Sequence, residues 1–338
     1  MIKHLKYLVF LAIPIVAVSC FSKDERVPPQ LLPPSYKPIQ IAYSIYHYSN
    51  YIDLDSEVIV KVVPITAWDL AFEASPKGWH ILINTGNYKQ VARTGSTSFG
   101  NNFSTVSNLN WNFDSPSGNL DSTAIGSWVD VSGGANAYTN EVYLFGINNG
   151  NGTFTSQNKM VFNRVTDSTY SFVFSTPDGV TADSVTIRKD SSYRYVFFSF
   201  SSANQTLLLE PQKNKWDLMM GTYESHDYDP SNKVWVPYFV RGVLSNLPAV
   251  SVLKVRDANY WEFGSNNIAG KTFSNNQEAI GFDWKDLKSR DIISYRIVPN
   301  LYYIIRSKSG KYTKLLFLSY LNDKAENGYP LFILGKLN

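Results

Sequence analysis

The 338-residue chain is 17% charged and 15% aromatic, with a formal net charge of +3 and a single cysteine. A typical chain carries about 25% charged residues; here Tyr, Asn and Ser supply the polarity, a balance that suits the half-buried sheets of exported β-proteins. The small charge, with no basic stripe beyond the N-terminus, excludes nucleic acid as an expected partner, and one cysteine excludes a disulfide framework.

Lys3, His4 and Lys6 precede the apolar run from Tyr7 to Val18, which closes on the small residues Ala17 and Ser19 before Cys20. That order is a signal peptide over residues 1–19. About a dozen apolar residues interrupted by Pro14 fall short of the roughly 20 that span a bilayer. A sole cysteine at that point looks like a lipobox, so Cys20 is expected to carry the acyl chains that attach the protein to a membrane. Phe21-Ser22-Lys23-Asp24-Glu25 resembles the export signal that sends some Gram-negative lipoproteins to the outer face of the outer membrane. The expected location is therefore the outer membrane, lipid-anchored, at the cell surface. Pro28, Pro29, Pro33, Pro34 and Pro38 then make residues 20–38 a lipidated, Pro-rich stalk in extended conformation.

Beyond the stalk the chain repeats itself. Trp68-Asp69-Leu70-Ala71-Phe72 is answered by Trp216-Asp217-Leu218-Met219-Met220, and Ala124-Ile125-Gly126-Ser127-Trp128 by Ala279-Ile280-Gly281-Phe282-Asp283-Trp284. Asn140 to Tyr143 and Lys159 to Phe162 are echoed, in the same order, by Asn300 to Tyr303 and Lys314 to Phe317. Insertions in surface loops account for the unequal spacing. The reading is a tandem duplication, with a first β-rich repeat over 39–178 and a second over 179–338. A Trp anchors a core, and the short acid beside it points to the opposite face, where it caps a neighbouring turn. Both are structural roles.

Alternation and turn residues predict strands over 39–47, 58–63, 79–83, 142–147, 159–165 and 170–175 in the first repeat, and a strand over 185–189 opens the second. They continue over 195–200, 236–244, 250–255, 294–298, 302–307, 311–319 and 329–334. Residues 94–123, rich in Ser, Asn, Thr and Gly, read as loops or short helices, and Trp284 to Arg290 as one or two helical turns. The fold class is mainly β, antiparallel, in two related lobes with few short helices.

Tyr302-Tyr303-Ile304-Ile305, Gly310-Lys311-Tyr312-Thr313-Lys314-Leu315-Leu316-Phe317 and Gly328-Tyr329-Pro330-Leu331-Phe332, together with Trp-Asp-Leu after a Tyr-rich strand, resemble the HmuY-like family of surface lipoproteins. The likeness is best over 185–338 and looser over 39–175. It implies a β-rich, haem-capturing protein that takes haem from solution or from haemoproteins and serves an outer-membrane receptor. It carries no ligand motif across to this chain. Haem iron takes axial donors such as His or Met, and past the leader only His47, His80, His226, Met160, Met219 and Met220 are available. His80 and His226 stand at equivalent places after Trp68 and Trp216. His80, between Trp79 and Ile81, also reads as a packed or edge histidine. His226, in the polar stretch Tyr223 to Asp229, reads as an exposed loop residue suited to a captured ligand. Met219 and Met220 adjoin on a presumed strand, so one faces inward, as core or as an axial donor. Glu224, Asp227 and Asp229 alternate as calcium ligands do, without the glycine and distal glutamate of an EF-hand.

No nucleophile elbow, phosphate loop, dinucleotide fingerprint or His-Glu-x-x-His is present, so the chain is read as a binding protein and not an enzyme. The alternative to haem is a surface glycan-binding or assembly lipoprotein, in which Trp79, Trp235 or Trp261 would stack on sugar faces.

Overall fold

The computed structural model describes residue 33 and residues 36–150, 153–202, 206–229, 231–289 and 294–337. The expected leader over 1–19, Cys20 and most of the expected stalk over 20–38 lie outside the described residues. Residues 36–338 form one compact unit, and every strand pairing described is antiparallel. The helical elements described are single 3-10 turns such as Ile65–Ala67 and Leu120–Ser122.

Two larger sheets dominate. One is ordered Asp183–Arg188, Thr169–Ser175, Phe154–Val165, Tyr143–Asn148, Lys89–Arg93 and Trp111–Asn112; the other runs Ile39–Gln40, Asn327–Leu337, Tyr312–Leu321, Leu301–Arg306 and Ser251–Arg256. Each has its own apolar cluster. Phe72, Trp128, Tyr143, Phe162, Phe172 and Phe198 pack in the first, and Ile52, Met220, Trp284, Tyr303, Phe317 and Phe332 in the second. Trp284 lies flat on Phe317, with ring centroids 3.8 Å apart. At about 25 cal/mol per Å², burying one such indole contributes roughly 4 to 6 kcal/mol.

Two smaller sheets cross the chain's midpoint. Tyr195–Phe198 pairs with Leu70–Glu73, which pairs with Ile81–Ile83. Conversely, Tyr48–Asp53 pairs with the start of Leu218–Asp229. The strand that precedes each Trp-Asp motif thus joins the sheet of the other motif, and Val196 and Phe198 lie in the first apolar cluster while Ile52 and Leu54 lie in the second.

Local readings failed in three places. The stretch expected as one strand over 39–47 is a two-residue strand, Ile39–Gln40, followed by bends and a turn before Tyr48–Asp53. Trp284 to Arg290 holds no helical turn within its described residues: Lys285–Ser289 is a strand paired with Ser294–Ile297. The polar stretch Tyr223 to Asp229 is the outer half of a twelve-residue strand, Leu218–Asp229, paired along its whole length with Val234–Ser245. That long hairpin roots Leu218, Met220 and Val243 in the second cluster while its far end is solvated.

Candidate functional site

In the long hairpin, side chains alternate faces, so one face carries His226, Glu224 and Thr222 beside their cross-strand partners Pro237, Phe239 and Arg241. Glu224, Pro237, Phe239 and Arg241 of this face line one side of a groove of about 520 Å³, and His226 stands beside it, against the lining residue Phe113. Tyr88, Gln90, Trp111, Phe113 and Phe154 form the opposite side.

Backbone geometry sets those walls. Tyr88 ends the 3-10 turn Thr85–Asn87 in a left-handed conformation, φ 60°, and its ring sits 4.2 Å from that of Phe239. Trp111 stacks on Phe154 at 5.1 Å with 9° between the planes. A Cβ on Gly146 would come within 2.7 Å of the Trp111 ring and 2.6 Å of the Thr155 carbonyl, so only glycine lets the indole lie there. The pairing with Phe154–Val165 is irregular at that same point, between Phe145 and Gly146.

Charge at the groove is sparse and held. Glu224 is fully buried, and Gln90 Nε2 donates to both its oxygens at 2.8 and 3.0 Å. Burial pushes its carboxyl up to about 7, against the opposing pull of the Gln90 bond. Arg241 lies over the Tyr46 ring at 4.6 Å and donates from Nη1 to the Phe239 carbonyl at 2.9 Å. Its Nε is buried with no hydrogen-bond partner among the described residues.

The four donor candidates separate. His226 is exposed, with its ring 4.9 Å from Phe113 at the groove. His80 stacks on Trp79 at 3.9 Å, its Nδ1 is 2.7 Å from Glu73 Oε2, and its Nε2 is buried without a hydrogen-bond partner among the described residues. Burial alone would raise the Glu73 pKa, but the bonds from His80 and Ser75 hold it below the usual carboxylate range. Met220 is fully buried in the second cluster, and Met219, on the opposite face, packs against Trp216, Tyr51 and Val63.

Sequence reasoning missed Gln90 and Arg241, together with the walls Trp111, Phe113, Phe154 and Phe239, and singled out Glu224 only for a calcium-like spacing with Asp227 and Asp229. Glu224 and His226 are two apart, the spacing of one strand face. That signal was present, but the polar run from Glu224 to Asp229 shows no apolar alternation to declare it a strand.

A search of curated proteins finds no match to this chain. Among solved structures, the apo HmuY analogue of Tannerella forsythia is 10% identical, covering 90% of this chain and 96% of that one, with a TM-score of 0.25. A candidate HmuY-like haem-binding protein from Bacteroides vulgatus is also 10% identical, covering 88% and 90%, with a TM-score of 0.23. A candidate lipoprotein from Bacteroides fragilis is 13% identical over 56% of this chain and 91% of its own, with a TM-score of 0.21. The HmuY protein family model matches residues 46–333, nearly the whole body of the chain, and the chain is a member of the HmuY family.

Proposed function

We propose that this protein captures haem, in the groove beside the long hairpin. Membership of the HmuY family supports the ligand class, because the HmuY-like protein from Bacteroides vulgatus is named as haem-binding. The observation that carries the site is the single hairpin face on which His226 and Arg241 stand at either side of Glu224 and Phe239. Their registers differ by four residues, roughly 13 Å of strand. A porphyrin is a flat apolar disc with an iron that takes nitrogen donors and two carboxylates at one edge. The groove offers matching chemistry: an exposed imidazole, aromatic walls and an arginine whose Nε has no partner. In this reading His226 supplies an axial nitrogen, Trp111, Phe113, Phe154 and Phe239 cover the ring, and Arg241 pairs with a propionate.

The same proposal includes delivery. Anchoring by lipid at Cys20, display at the outer-membrane surface and transfer to an outer-membrane receptor fit the leader, the lone cysteine and the stalk. Labelling with a palmitate analogue, compared between the native chain and Cys20→Ala, tests the anchor.

Haemin titration tests the site. A saturable, red-shifted Soret band is the expected result, with sharp reduced-state bands that His226→Ala removes. No saturable change sinks the haem reading. A second reading, glycan binding, is favoured by one observation: Trp235 is 67% exposed at the far end of the hairpin and packs at 5.4 Å on Tyr228, itself 45% exposed. A glycan array that lights up for the native chain and goes dark for Trp235→Ala would support it.

A further inference from the structure

Apart from the groove, the protein holds a smaller cavity of about 140 Å³, and both Trp-Asp motifs send their indoles to its wall. Trp68 meets Phe197 edge-on at 5.1 Å, and Trp216 meets Tyr51 edge-on at 5.0 Å. Tyr195, Met219 and Leu82 complete an apolar lining, and the half-buried Ser115, Pro116 and Gln277 lie at its outer side. An apolar cavity of about 150 Å³ holds one benzene ring. Size therefore limits an occupant here to a single ring and excludes haem.

The polar groups limit it further. Trp216 is 3% exposed, and its Nε1 is buried with no hydrogen-bond partner among the described residues. A buried indole N–H left unpaired is costly, so an acceptor in the cavity stabilises the site. Glu210 and Asp114 also line the cavity, and they oppose an anion. Glu210 accepts from the Arg194 and Tyr195 amides at 2.7 Å each, both through Oε1. Asp114 accepts from the Ile83 and Ala124 amides at 2.6 and 2.7 Å. Burial raises both carboxyls to about 7, which keeps them largely uncharged in mildly acidic water. Arg194, stacked over the Tyr195 ring at 5.2 Å, opposes a cation.

We propose that this cavity is a second binding site, for a small uncharged single-ring aromatic compound bearing a hydrogen-bond acceptor, of the phenol class, recognised by the Trp216 N–H. The walls supply ring-to-ring contact and the indole selects the polar substituent. The site is independent of the haem reading.

The test compares 4-fluorophenol with fluorobenzene, followed by fluorine NMR and by thermal shift on the intact body of the protein. The expected result is saturable binding of 4-fluorophenol at least tenfold tighter than that of fluorobenzene, competed by phenol. Trp216→Phe keeps an aromatic wall but no N–H, and should bring the two affinities together. Leu82→Phe fills the cavity from a half-buried position and should abolish binding of both in a chain that still melts cooperatively. Equal affinity for the two ligands in the native protein, or no saturable binding of either, would overturn the proposal.

Discussion

Asn84 and Asn246 make the same three bonds. Each amide side chain donates to the carbonyl of its own motif's Trp and to the carbonyl three residues before it: Trp68 and Ile65 at 2.7 and 2.6 Å, Trp216 and Lys213 at 2.8 Å each. Each backbone N–H donates to the following Asp, Asp69 or Asp217, at 3.0 and 2.8 Å. The aspartates match as well: Asp69 Oδ2 accepts from the Phe200 amide and Asp217 Oδ2 from the Leu54 amide, both at 2.9 Å. The acid therefore ties each Trp-Asp turn to the strand that arrives from the other half of the chain. We propose that these matched sets descend from the duplicated segment.

Removing one of the amides takes the side-chain donor from two carbonyls in part-buried or buried bonds. Asn246→Ala is expected to lower unfolding stability by about 3 kcal/mol, and Asn84→Ala by a similar amount. Urea denaturation followed by tryptophan fluorescence checks both; a loss under about 1 kcal/mol would show that water replaces the side chain.

The two histidines should respond oppositely. His226→Ala is expected to weaken haemin binding at least tenfold and leave the melting midpoint near that of the native chain, because the ring is exposed. His80→Ala removes the partner of Glu73 and a ring stacked on Trp79, so it is expected to cost about 1 to 3 kcal/mol of stability while leaving the haemin spectrum unchanged. Paired haemin titration and thermal melts separate the outcomes.

Gly146 is the narrowest steric requirement of the groove. Gly146→Ala forces either Trp111 or the Thr155 carbonyl to move, an overpacking cost of about 1 to 3 kcal/mol. The expected result is a haemin affinity lowered about tenfold, accompanied by a changed indole environment in near-ultraviolet circular dichroism. An unchanged affinity would place the ligand elsewhere.

Acidity should stabilise this fold over one window. Asp114, Glu210 and Glu224 are each raised to about 7 by burial, from 3.8 or 4.5. Between those values the unfolded chain releases protons that the folded chain keeps, so the contribution of these three carboxyls to stability falls as pH rises from about 4.5 to 7 and changes no further above. Each group contributes at most about 1.4 kcal/mol per pH unit. Glu210→Gln, which cannot ionise, should flatten part of that slope; urea midpoints at pH 5, 6 and 7 are the measurement.

The amino-acid order decided what local forces decide. Alternating Val, Ile, Tyr and Phe marked most strands to within a few residues, and the antiparallel β class followed from them, because a side chain's face in an extended segment depends only on parity. The repeated Trp-Asp motif was equally visible. Tertiary structure decided which strands meet. Tyr48–Asp53 pairs with a segment far along the chain, and Tyr195–Phe198 reaches back to Leu70–Glu73, since pairing is selected by the whole buried surface and not by neighbours in sequence. It also decided the groove. His226 could be picked out as a donor, but only the full-length pairing of the long hairpin puts it on one face with Glu224, Phe239 and Arg241. The wall residues Trp111 and Phe113 come from a stretch with no periodicity at all, held by a ring stack and a glycine that no local pattern encodes.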